Sequence, residues 1–454
     1  MAQVKTLDTA FLKTQDPDQH ASLAIGAVAI VDGDVPDYAL LNRLLAERIQ
    51  SIPRCTQVLR TQDFEWIDGP EFDLTQHVRR VAIPRPGDEA ELSRAIAQAL
   101  ERPLDLNRPL WECWVIEGLK GNRWAILMKI HHRLTDGNSA AHLLTRLCDD
   151  ADADTFANHG GAEQVSPTRA DKRGWADALL RAAALPGAVT GALVGAMWPA
   201  PGPSVHPVTT MRRYGTVRVP ISDVDRVCRK FGVTVNDVAL AAITEGFRTV
   251  LLRRGEQPRA DSLRALIPMP VRSAMLPYLP VEHDDPVQRL RTVHNRWKVK
   301  QADQPQSAGL VELAINCLPK VLRGNAMQLL ARFPQRGIVT LATNAPGPRH
   351  QLRLMGQTIE RLLPIPPTAS RLNSGVAVLS YGDEVVFGIT AEYDAAADVK
   401  QLTAGIELGM ARLVALSQDS VLLFGKEHRR KRASRPFPGN AQRPRPPAPK
   451  PARR

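Results

Sequence analysis

The stretch from Lys129 to Ser139 reads Lys-Ile-His-His-Arg-Leu-Thr-Asp-Gly-Asn-Ser, and it holds the residues best placed to do chemistry. An apolar run delivers two adjacent histidines, His131 and His132. A short loop then carries Asp136 and Gly137, and a helical pattern begins at Ser139. Neighbouring strand residues point to opposite faces, so one histidine can face a cleft while the other packs inside. A neutral imidazole suits proton abstraction from a hydroxyl, because its ordinary pKa lies close to the working pH. Gly137 supplies backbone freedom for a tight turn. Asp136 could lock the loop by pairing with a cation, and Arg264 and Arg272 flank the one apolar run that could offer it. A His-His pair can equally be structural.

Other chemistries leave no trace. There is no HExxH or comparable third ligand beside the histidines, so no metal is expected. No G-x-S-x-G elbow, Gly-rich phosphate loop or strand-borne GxGxxG occurs, and no bound cofactor is expected. From the residues alone, the reading stops at a histidine-dependent site on a strand–loop–helix junction.

The elements that must carry this junction alternate in type. Ala21–Val31 is an apolar, strand-like run; Leu40–Ile52 and Glu89–Glu101 space apolar residues as helices do. Leu110–Ile116 and Trp124–Ile130 read as strands around a turn, and Ser139–Cys148 as a helix. Gly174–Ala200 reads as a helix broken at Pro186, and Pro199–Pro203 as a linker. A second αβ region follows. It has strands at 214–219, 262–267, 337–342, 376–380 and 384–390, and helices at 223–231, 236–253, 286–332 and 398–417. The organisation expected is an N-terminal half over 1–172, a helical linker over 173–205, a C-terminal half over 206–425 and a basic Pro/Arg-rich tail over 426–454, expected to be disordered.

The chain has 454 residues, 44% of them apolar and 23% charged, which suits a soluble globular protein of two large units. Its formal charge is +12, but Lys426–Arg454 holds eleven Lys/Arg against Glu427, a net of +10. The body is near neutral, which argues against nucleic acid as a partner. Five scattered cysteines without CxxC spacing fit a reducing compartment. The first residues lack an apolar core of the secretory kind. The uncharged stretch 182–200 is mostly Ala and Gly and contains Pro186, a poor membrane span but a plausible lipid-facing side.

HHxxxDG, in this setting, resembles the motif of the bacterial wax ester synthase/diacylglycerol acyltransferase family. Leu7–Leu12 is similar to that family's first motif, and Arg108-Pro-Leu-Trp-Glu112 carries its PLW signature. Asn236-Asp237 matches its ND motif, and Ile267–Arg272 the segment ending in arginine. Leu279–Pro286 and Thr343–Pro348 match later landmarks, so the resemblance runs to about residue 420.

The resemblance implies an α/β fold of two chloramphenicol acetyltransferase-like (CoA-dependent acyltransferase) halves with a channel between them. It implies His132 as general base, with acyl-CoA as co-substrate and diacylglycerol or a long-chain alcohol as acceptor. His131, Asp136, Gly137, Arg272, Asn236 and Asp237 would shape the site, Asp136 held by Arg272. Pro109, Leu110 and Trp111 are candidates to line the substrate channel, packing at a strand start being the other reading. Asn236 and Asp237 are likewise open between a helix cap and a site-lining role. The expected location is cytoplasmic, peripheral to the inner membrane face or lipid droplets. Alternatives are a condensation-type enzyme served by a carrier protein, or a catalytically weak lipid-binding paralogue.

Overall fold

Among the described residues two six-stranded sheets form the frame, joined by one strand that changes sides. The computed structural model describes residues 24–60, 65–69, 72–131, 134, 140–150, 211–268, 274–275, 278–302, 338–345, 347–348, 350–366, 374–392 and 396–418. In the first part the elements are β1 (Ala24–Asp32), α1 (Tyr38–Gln50), β2 (Gln57–Arg60), β3 (Glu65–Asp68), β4 (Val78–Ala82), α2 (Glu89–Glu101), β5 (Trp111–Leu119), β6 (Arg123–His131) and α3 (Ala140–Thr145). In the second they are β7 (Arg212–Pro220), α4 (Ile221–Phe231), α5 (Val235–Arg253), β8 (Arg264–Pro268), β9 (Ala274–Met275), α6 (Pro286–Ala302), β10 (Ile338–Ala345), β11 (Arg353–Leu354), β12 (Gln357–Ile365), β13 (Ser374–Tyr381), β14 (Glu384–Glu392) and α7 (Ala396–Gln418).

The local chemistry of the helices is plain. The Asp88 carboxylate caps α2 by accepting from Ala90 N and Glu91 N at 2.9 and 3.0 Å. Leu92, Ile96, Ala99 and Leu100 then lie on one buried stripe. Asp37 caps α1 in the same way, and Leu41, Leu45 and Ile49 are fully buried one turn apart.

The first sheet has the order β11-β12-β1-β6-β5-β4 and the second β7-β14-β13-β10-β8-β9. β1/β6 and β6/β5 are antiparallel and β5/β4 parallel. β7/β14 and β14/β13 are antiparallel and β13/β10 parallel. The same four-strand wiring therefore occurs twice, and a chain with no visible repeat in its residues repeats its topology.

One face of the first sheet packs on α1 and α3 through Ala27, Ile126, Met128 and Ile130. The other face packs on α2, and there Tyr214 of β7 and Val386 of β14 join the same core. β12 belongs to the second part of the chain but pairs with β1, Gly26 opposite Ile365. Tyr214 donates its hydroxyl to Pro364 O at 3.0 Å, and Gly388 is bare where a Cβ would strike the same carbonyl. Arg218 bonds Glu89 at 2.9 Å, and Arg361 reaches the same carboxylate at 3.3 Å, so α2, β7 and β12 share one ionic seam.

The expected strands and helices fall within a few residues of the observed ones wherever both are described. β2, β3, β4, β9, β11 and β12 were not anticipated. The expected linker over 173–205, the helix within 174–200, the tail and most of the 286–332 helical stretch lie outside the described residues. Among the described residues no helix is long and apolar enough to cross a membrane.

Candidate functional site

β6 carries the histidine motif to the end of the first sheet. Its last residue, His131, is 2% exposed and sits opposite Ala24 of β1. His131 N donates to Leu110 O at 2.9 Å, which fixes the strand end against the segment before β5. By the strand's alternation His131 shares a face with Lys129 and Leu127. His132, Asp136, Gly137 and Arg272 lie outside the described residues, and so does the side chain of Arg264.

Two residues before His131, Lys129 is 0% exposed. Its ammonium donates to Ala99 O at 2.9 Å and Arg102 O at 2.7 Å, at the end of α2. It also pairs with Glu112 Oε2 at 2.8 Å, directly opposite on β5. Burial pushes the lysine below its ordinary pKa, and the Glu112 carboxylate opposes that shift. Trp114 Nε1, Arg79 and Arg102 complete the surroundings of Glu112 at 3.2, 3.4 and 3.6 Å. The residues gave one signal of this cluster: a lysine inside an otherwise apolar strand must be paired. Its partners, on β5 and at the end of α2, could not be read from spacing.

The Pro109-Leu110-Trp111 candidates are buried, Leu110 at 0% and Trp111 at 1% exposure. Trp111 Nε1 donates to Cys55 O at 2.8 Å, and its ring stacks on His77 at 4.5 Å between centroids. His77 Nδ1 lies 2.8 Å from Trp111 O, so that nitrogen carries the proton, because a carbonyl can only accept. Burial holds His77 below the usual histidine pKa. Pro109–Trp111 thus packs against the core at a strand start and braces the strand end through Leu110 O.

At the other motif, the cap of α5 is Thr234 rather than Asn236 or Asp237. Thr234 Oγ1 accepts from Asp237 N at 3.2 Å, and Asp237 Oδ2 accepts from Thr234 N at 2.9 Å, a reciprocal capping box. Asp237 is 2% exposed and also meets His294 Nδ1 of α6 at 2.8 Å. The Asn236 side-chain oxygen is buried with no hydrogen-bond partner among the described residues. The described hydrogen-bond partners of Asp237 are Thr234 and His294, both in the second part of the chain.

Among the described residues no group of three or more His, Cys, Asp or Glu could hold a metal ion. Burial pushes the Cys55, Cys113 and Cys148 thiols up to about 12, so at neutral pH they are not nucleophiles.

The comparisons with known proteins agree with one another. A family model described as the wax ester synthase/diacylglycerol acyltransferase catalytic domain matches residues 4–198 and 173–239. The model of the WS/DGAT C-terminal domain matches residues 272–413. A protein of Mycobacterium tuberculosis, strain H37Rv, that bears the name of a diacylglycerol O-acyltransferase is 63% identical over 451 residues, 99% of each chain. The solved wax ester synthase/diacylglycerol acyltransferase from Marinobacter aquaeolei VT8 matches with a TM-score of 0.65 at 24% identity, covering 92% of this chain and 100% of that one. The first condensation domain of the calcium-dependent antibiotic synthetase matches with a TM-score of 0.53 at 16% identity, over 92% and 96% of the two chains.

Proposed function

Because the chain belongs to the wax ester synthase/diacylglycerol acyltransferase family, we propose that this acyltransferase moves a fatty acyl group from acyl-CoA to the hydroxyl of diacylglycerol, a long-chain alcohol, or both. Its fold is that of the CoA-dependent acyltransferases and condensation domains, two αβ units of like wiring. We assign the units to 1–172 and 206–425, with 173–205 as linker and the substrates meeting between them.

His132 takes the proton of the acceptor hydroxyl as its oxygen attacks the thioester carbonyl carbon. The C–O bond forms, the tetrahedral adduct collapses, the C–S bond breaks, and the CoA thiolate recovers the proton from the imidazolium. Both substrates react directly, so positioning supplies much of the rate and no acyl-enzyme is needed. His131, buried at the strand end, orients the motif; Asp136 and Gly137 shape the loop, Asp136 paired with Arg272. Asp237 supports the second unit through the capping box and His294, and Asn236 beside it shapes the site. Pro109, Leu110 and Trp111 act on the channel from behind, by bracing the strand. No cofactor is needed. The enzyme works in the cytoplasm on a membrane or droplet surface, to which its acceptor and product belong.

The observation that carries this reading is the run of HHxxxDG at the end of β6 within a family match spanning both units. Palmitoyl-CoA given with diacylglycerol or with hexadecanol tests it. Triacylglycerol or wax ester should form in step with free CoA. Thiol release without any ester product would reject transfer to an alcohol.

A further inference from the structure

We infer that Lys129, acting with Glu112, is a positioning residue that sets the end of β6 and thereby the histidine motif. The inference rests on the reading of His131–Gly137 as the reactive motif. Lys129 is 0% exposed, and its ammonium has three acceptors within 2.7–2.9 Å. It is enclosed with those acceptors and cannot meet a substrate, so it works through what it holds.

What it holds are three elements at one point. Glu112 opposes it on β5, and Ala99 O and Arg102 O close the end of α2. Those carbonyls lie at the negative end of the helix dipole, where a cation is favoured. The neighbouring Glu101 accepts from Arg212 N at 3.0 Å, at the start of β7. A path of hydrogen bonds therefore runs from the strand two residues before His131, through the end of α2, to the first strand of the second sheet. The strand delivering the motif and the facing unit are held to one reference.

Stability alone does not require this arrangement. A methionine would fill nearly the same volume without taking an ammonium out of water, and apolar replacement of a buried ion pair is commonly neutral or stabilising. What an apolar pair lacks is direction. Three charge-assisted hydrogen bonds fix the strand along its length and across the sheet, which dispersion contacts do not.

Lys129→Met, Glu112→Gln and the double variant separate placement from stability. Glu112→Gln leaves the buried ammonium without a counter-ion and should lower the melting temperature most, whereas Lys129→Met leaves Glu112 with Arg79 and Arg102 and should lower it less. The double variant removes both charges, keeps an acceptor for Trp114 Nε1, and should recover most of that temperature. Its kcat for CoA release should remain about 10–100-fold below the parent, the scale of a small misplacement of reacting groups. KM for acyl-CoA should change far less. Amide hydrogen exchange of the peptide spanning residues 124–132 should be faster in the double variant than in the parent. Recovery of kcat together with melting temperature would show a purely structural pair and overturn the inference. If the parent releases no CoA, the functional reading fails by itself, and the exchange arm still decides: unchanged protection of 124–132 in the double variant refutes the positioning role.

Discussion

The pleat of β6 turns its last residue, His131, inward, on the face it shares with Lys129. His131 is buried at the strand end, so His131→Ala should lower the melting temperature, with a loss of about 1–3 kcal/mol as for other buried side chains. An unchanged melting temperature would remove it from the core. His77 gives a second test at this scale. Burial holds its pKa below 6.5 when folded, so below about pH 6.5 the unfolded chain binds a proton that the folded chain refuses. Stability must therefore fall as the pH drops from about 7 to 5, by up to about 1.4 kcal/mol per pH unit for this residue. Burial depresses His142 in the same direction. Urea melts of His77→Phe should show a shallower fall than the parent; an identical slope would mean that His77 titrates normally in the fold. The histidine motif was legible because its chemistry is concentrated in seven consecutive residues. Lys129 and Glu112 were not, because 17 positions separate them and only the sheet register brings them together.

The elements were legible where their pattern is local. α2 was read to the residue, since an acidic cap and a buried stripe are written in thirteen consecutive positions. β4 was missed because Val-Arg-Arg-Val-Ala mixes its polarity, and β12 because its pairing partner β1 lies more than 300 residues away. Asn236 and Asp237 are open from the sequence between a helix cap and a site-lining role; the reciprocal bonds of Thr234 and Asp237 put the cap at Thr234. The crossing of α5 and α7 gives a prediction of sign. A Cβ on Gly405 would lie 2.7 Å from Gly246 Cα and 2.8 Å from Thr249 Oγ1. Helix propensity favours Gly405→Ala by about 1 kcal/mol. Overpacking costs about 1–3 kcal/mol, and backbone on the far side cannot yield cheaply. The variant should melt below the parent, and a higher melting temperature would show that the helices can part.

At the scale of the whole molecule, the repeated wiring and the exchanged strand β12 make two units that share one core, with Tyr214 and Val386 inside the first sheet's packing. Two similar units were legible in the alternation of strand and helix signals; the exchange was not, since it depends on which sheet edge is open. The charge is also a property of the whole. With +10 of the net +12 in residues 426–454, truncation after Gly425 should leave turnover of soluble substrate intact and weaken binding to anionic vesicles at low salt. Each basic residue near such a surface contributes about 1 kcal/mol, reduced by screening. Equal vesicle binding with and without the tail would make it inert. Acyl transfer to an alcohol with His132 as base is tested by acceptor-dependent CoA release from palmitoyl-CoA by the parent and by His132→Ala. Diacylglycerol or hexadecanol should raise the parent's release, and the variant, with an unchanged melting temperature, should lose about 10²–10⁴-fold of turnover. Acceptor-dependent release undiminished in the variant would contradict it.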